Sequence, residues 1–164
     1  MLTQCGILSV ILGLIYISAG SEAPDVSPKF VNIAPASQVL LGNTLYFIEN
    51  KVPMHWFGAR KFCEGMGYNL ISLDTTEKVE AIKTYLDSQR DKNIYWTSGN
   101  DLLTPDHVWF PSGKPVASEL WHPNEPNNYG GIEHCDNFGH GPSRLMNDLD
   151  CTHKQNYICE RTLK

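Results

Sequence analysis

Two short stretches of the chain gather oxygen-bearing side chains that cannot supply a hydrophobic core. The first, EPNNYGGIEHC from Glu125 to Cys135, holds two glutamates, two asparagines and a single bulky aliphatic residue, Ile132. The second, LMNDLDC from Leu145 to Cys151, adds Asn147 and Asp148. Each ends at a cysteine, and a bond between Cys135 and Cys151 would bring the two side by side. The pooled donors are then the carboxylates of Glu125, Glu133 and Asp148 and the amides of Asn127 and Asn147. Such a set suits a hard cation. Ca2+ takes six to eight oxygen ligands in flexible geometry, whereas Mg2+ wants a tighter octahedron with more waters and Zn2+ prefers nitrogen or sulfur. Asn, Asp and Glu are also ordinary turn residues, so the juxtaposition of the two segments carries the reading.

An oxidised, exported domain would hold these segments. The chain opens MLTQCGILSVILGLIYISAG, an apolar run followed by small residues, which reads as a signal peptide over residues 1–20 with cleavage somewhere at 20–23. A membrane helix needs about 20 apolar residues, so a secreted, extracellular protein without membrane insertion is expected. Residues 21–38, with Pro24, Pro28 and Pro35, read as a linker or N-terminal arm, and residues 39–164 as one domain. The net charge of -5 and the lack of a Lys/Arg cluster argue against nucleic acid as a partner. Cys5 leaves with the signal. Cys63, Cys135, Cys151 and Cys159 remain, an even number that implies disulfides with three possible connectivities. The nested one would close a long and a short loop, contributing about 4 to 5 and about 3 kcal/mol on the chain-entropy model. Zinc is a poor rival near His134 and His153, because no C-x-x-C pair occurs.

Periodicity supplies the elements. Thr44 to Ile48 is aromatic and β-branched and reads as a strand. Pro53 stands at a first-turn position for a helix whose face is Trp56, Ala59, Cys63 and Met66, ended by Gly67. Asn69 to Leu73 is a short apolar run, and Asp74 with Glu77 makes a capping-box-like start for a second helix with face Val79, Ile82 and Leu86. Ile94 to Thr97 and His107 to Phe110 read as short strands, and Tyr157 to Cys159 as a last strand paired with the first. Between them, Pro111 to Gly131 is a long run of turn residues, ordered by Trp109, Phe110 and Trp121, and too long for a passive connector.

At this point the residues resemble the C-type lectin domain in its calcium-dependent carbohydrate-recognition form, most like secreted single-domain insect members. The resemblance runs from about Leu45 to Glu160. It rests on four cysteines in the family's order, Tyr95 to Gly99 at the WIGL-like strand, Glu125-Pro126-Asn127 as the EPN motif, Glu133 eight residues on, and Asn147-Asp148 as the end of the WND motif. It implies an α+β fold with two helices packed on small antiparallel sheets, a long ordered calcium-binding loop, and disulfides joining Cys63 to Cys159 and Cys135 to Cys151. It further implies one Ca2+ held by Glu125, Asn127, Glu133, Asn147 and Asp148, with Pro126 following a cis peptide bond. The same five residues would bind a sugar through two adjacent hydroxyls. The EPN order goes with glycans bearing mannose, fucose or N-acetylglucosamine; a galactose-binding lectin, or a domain of this fold that binds protein instead, is the alternative.

The sequence departs from the family pattern at Met146, which replaces the tryptophan of the WND motif, and at Pro105, Asn128 and His134, where an auxiliary calcium site usually has carboxylates. One calcium is therefore expected. His122, His134 and His140 read as loop histidines, and Tyr129 as an exposed aromatic beside the site. Glycoside hydrolysis by paired acids is not expected, since carboxylates held ionised as metal ligands have no proton to give. Microbial recognition in innate immunity and reproductive glycan binding would use the same site.

Overall fold

In the computed structural model the described residues are 37–163. The expected signal peptide and almost all of the expected arm lie outside them. The elements are β1 (Ser37–Leu41), β2 (Thr44–Met54), α1 (Trp56–Gly65), β3 (Asn69–Leu70), α2 (Thr76–Ser88), β4 (Tyr95–Asn100), β5 (Val108–Trp109), β6 (Glu133–His140), β7 (Leu145–Asp150) and β8 (Gln155–Thr162). Short 3-10 turns at Ser118–Leu120 and Tyr129–Gly131 interrupt the long segment between β5 and β6.

The strands join in the order β1-β2-β8-β4-β6-β7, with β3 on β8 and β5 on β4. Every pairing is antiparallel except β4 with β8. The small sheets implied by the resemblance are thus connected through that parallel pair. The expected pairing of first and last strands is present, with Phe47 opposite Cys159.

Successive strand residues point to opposite faces, and both faces of this sheet are packed. Tyr46, Ile48, Tyr95 and Ile158 turn toward α2, which contributes Val79, Ile82 and Leu86. Trp96, Tyr157 and Cys159 turn toward α1, which contributes Trp56, Ala59 and Cys63. Two buried indoles find acceptors: Trp56 Nε1 donates to Thr97 O at 2.8 Å and Trp96 Nε1 to Met54 O at 2.9 Å. The disulfides are Cys63–Cys159 and Cys135–Cys151, and both lie in the α1-side core. The first bonds α1 to β8, and the second bonds β6 to the residue after β7.

Two helix starts differ from expectation. Pro53 lies inside β2, and α1 begins at Trp56 with His55 as its cap, Nδ1 accepting from Gly58 N at 2.9 Å. For α2 the cap is Thr75, whose hydroxyl accepts from Lys78 N at 3.3 Å. Asp74 pairs instead with the Lys78 and Lys114 ammonium groups at 3.0 and 3.2 Å. An ion pair with two cations outweighs a single capping bond here. No helix among the described residues is long and apolar enough to cross a membrane.

Candidate functional site

The site is assembled where the long loop before β6 closes over the β6–β7 hairpin. In that hairpin Asp136 stands opposite Asp148 and Asn137 opposite Asn147, with register shifts near Glu133 and Phe138. The loop is moored at its start, where Trp121 forms a parallel bridge with Met146 and His122 N donates to Met146 O at 2.8 Å. Met146, in place of the motif's tryptophan, is fully buried in the α2-side core.

From that mooring the chain turns sharply. Asn124 and Asn128 both have positive φ, 73° and 42°, and the Glu125–Pro126 bond is cis, as the family resemblance implied. Asparagine tolerates such conformations better than other side-chain-bearing residues. The loop has little apolar material to bury: Tyr129 is 78% and Ile132 56% exposed. It is held by polar side chains that accept from backbone amides. Asp148 Oδ1 accepts from Asn127 N at 3.1 Å and its Oδ2 from Asn128 N at 2.7 Å. Glu133 Oε2 accepts from Tyr129 N at 3.0 Å, and Asn128 Oδ1 accepts from Glu133 N at 3.0 Å.

These bonds bring Asn127, Glu133 and Asp148 into one cluster. Asn147 joins it beside Asp148, its Nδ2 donating to the Asp148 carbonyl. Glu125 is placed there too. Burial first, then the adjoining Asp148 carboxyl and the charge of Glu133, hold its acid above the usual glutamate range. Its Oε2 is buried with no hydrogen-bond partner.

An ionised carboxylate offers about four acceptor sites over its two oxygens, so the amide bonds to Asp148 and Glu133 leave capacity for a metal. Three mutually repelling carboxylates, one with an unpartnered buried oxygen, fit a divalent cation. Among the described residues no group of three or more His, Cys, Asp or Glu side chains is by itself placed to hold a metal ion. The amide oxygens of Asn127 and Asn147 would be needed to fill the shell, which again favours an oxygen-seeking ion.

Two roles were not read from the sequence. Asn128 is a loop clasp, and the signal was available in an asparagine repeated next to a turn. Behind the hairpin lies a second set of acids and imidazoles. His134 Nδ1 is 2.9 Å from Asp101 Oδ1, and His107 Nδ1 is 2.6 Å from Asp136 Oδ1. His140 Nε2 bonds Asn137 Oδ1 at 2.6 Å, and burial, followed by the charge of His122, lowers its pKa.

The Lectin C-type domain model matches residues 52–161. The chain is 32% identical over 127 residues to C-type lectin 37Da of Drosophila melanogaster, covering 72% of this chain and 68% of that protein. To C-type lectin 16 of Aedes aegypti it is 30% identical over 135 residues, covering 77% and 88%. Among solved structures, the carbohydrate-recognition domain of the mouse scavenger receptor C-type lectin aligns with a TM-score of 0.67 at 21% identity, covering 77% of this chain and 96% of that one. The C-type lectin domain of murine dendritic cell inhibitory receptor 2, solved in complex with N-glycan, aligns with a TM-score of 0.63 at 22% identity, with the same coverage. With a family model spanning well over half of it, the chain belongs to the C-type lectin domain family.

Proposed function

We propose that this chain is a secreted lectin that holds one Ca2+ through Glu125, Asn127, Glu133, Asn147 and Asp148 and binds mannose-type sugars there. Members of its family are typically carbohydrate-binding and non-enzymatic, which supports binding over catalysis. The observation that carries the reading is the convergence of Glu125, Glu133 and Asp148, with Glu125 Oε2 buried and unpartnered. The ion would supply a positive centre on which two adjacent sugar hydroxyls can rest. Around those hydroxyls, Glu125 and Glu133 can only accept hydrogen bonds, while the amide groups of Asn127 and Asn147 donate. Each hydroxyl thereby meets one acceptor and one donor.

The EPN order supports mannose, fucose or N-acetylglucosamine over galactose. A single site making a few hydroxyl contacts binds weakly, with Kd on the order of millimolar, or about -4 kcal/mol. A dense glycan surface would raise the avidity without any new contact. Retention on immobilised mannose and galactose, each with and without EDTA, is the test. The expected result is EDTA-sensitive retention on mannose. Retention indifferent to EDTA would sink the calcium reading, and EDTA-sensitive retention on galactose alone would overturn only the sugar class.

A further inference from the structure

His107 is a half-buried histidine that faces a carboxylate with each ring nitrogen. Nδ1 is 2.6 Å from Asp136 Oδ1 and Nε2 is 3.8 Å from Asp101 Oδ2. Its ring makes a T-shaped contact with Trp121, with centroids 5.0 Å apart at 76°. Asp136 is fully buried, and its second oxygen has no hydrogen-bond partner. Room for that oxygen exists because residue 99 is glycine: a Cβ there would stand 2.2 Å from Asp136 Oδ2. A lone buried carboxylate is costly in a medium of low dielectric, and nothing in the general need for core would place one in β6. It needs a partner, and His107 Nδ1 is the ring nitrogen placed to supply one.

The position of this pair relates it to the loop. Asp136 stands directly opposite Asp148 on the hairpin, and Asp148 grips the amides of Asn127 and Asn128. Trp121, in contact with the same ring, begins the loop and bridges to Met146. Asp101, the second acid, pairs with His134, the residue after Glu133. His107 thus touches both the root of the loop, at Trp121, and Asp136 in the strand pair that grips its middle.

We propose that His107 is a positioning residue for the 121–128 loop: held between Asp136 and Asp101, it fixes the Trp121 ring and the Asp136–Asp148 strand pair. It contacts neither metal nor sugar in this scheme. The calcium consequence rests on the reading given above, and the loop consequence does not.

The test compares wild type, His107→Gln, Asp136→Asn and the double variant by amide hydrogen exchange without calcium and by calcium titration calorimetry. In His107→Gln the exchange of residues 121–128 should rise about tenfold while β8 amides stay protected, because the opening is local. Calcium affinity should fall about tenfold, as when a supporting partner behind a metal ligand is lost. The double variant has no unpaired buried charge, and its side-chain amides can bond one another, so both readouts should return to within about threefold of wild type. If His107→Gln does not fold, Asp136→Asn decides by the same loop-confined rise. Unchanged loop exchange, a rise spread evenly into β8, or a double variant that folds but leaves the loop as open as the single would each overturn the proposal. A wild type that bound no calcium would remove the calcium reading alone, leaving the exchange comparison to decide.

Discussion

The α1 side of the sheet and the loop over β6–β7 are stabilised by opposite means. On the α1 side, Trp56, Ala59, Cys63, Trp96 and Tyr157 are each at most 1% exposed, and both disulfides lie among them. Over β6–β7 the loop leaves Tyr129 and Ile132 largely exposed and is held by carboxylates and an amide that accept from its backbone. The first region resists unfolding through apolar burial and covalent closure. The second keeps its shape only while Asp148, Glu133 and Asn128 remain acceptors, so the groups that would bind a cation are also the scaffold. The difference means that stability and binding should be separable by mutation.

The largest separation should come from the long disulfide. Replacing Cys63 and Cys159 by alanine opens a loop with a sequence separation of 96. It should lower unfolding free energy by about 4 to 5 kcal/mol in urea denaturation, yet leave calcium affinity of the remaining folded protein unchanged. A parallel fall in affinity would break the contrast. The short disulfide sits at the border. Removing Cys135 and Cys151 should cost about 3 kcal/mol and weaken calcium roughly tenfold as well, since it joins the two ligand segments. Asp148→Ala should behave in the reverse sense. Calcium binding should drop by about 100-fold, near 2.7 kcal/mol, while stability without calcium falls by only about 1 to 2 kcal/mol for the amides left without their acceptor.

What could be read from the sequence follows the same division. Val79, Ile82 and Leu86, and the Trp56 to Cys63 face, recur at helical spacing because their positions are set by burial, and the structure buries them. The strand at Thr44 to Ile48 was legible for the same reason. β6 and β7 were not, because DNFGH and LMNDLD do not alternate apolar with polar residues. Their burial pattern does not alternate cleanly either, since Asp136, Asn137 and Asp148 are buried for polar reasons. Around the loop, spacing and resemblance could single out Glu125, Asn127, Glu133, Asn147 and Asp148 as the proposed ligand set. Asp136 and His107 could not, because their partnership is a 29-residue contact with no local signature. A charged residue between Cys135 and Phe138 was the available hint.

The smallest predicted effect concerns that hidden pair and sharpens the contrast through pH. Burial pushes the Asp136 acid up to about 6, opposed by the His107 hydrogen bond. For His107, burial pulls the pKa down, but bonding to Asp136 and the charges of Asp136, Asp101 and Asp148 outweigh it, so the net shift is upward. Both groups therefore bind protons more tightly in the folded domain than in the unfolded chain, and stability must fall with rising pH wherever the folded state holds the extra protons. Asp136 loses its favourable contribution as pH rises from about 4 through 6, and His107 loses its own from the ordinary imidazole range of about 6.5 upward. Measured without calcium, the melting temperature of wild type minus that of the His107→Gln, Asp136→Asn double variant should shrink by a few degrees, roughly 3 °C, between pH 5 and pH 8. A difference that stayed flat would mean the pair carries no net proton on folding, and one that grew would mean that Asp136 is held ionised. Either outcome would remove the pH contrast between the two regions and leave the positioning role of His107 to the exchange comparison, since an ionised Asp136 still needs its partner.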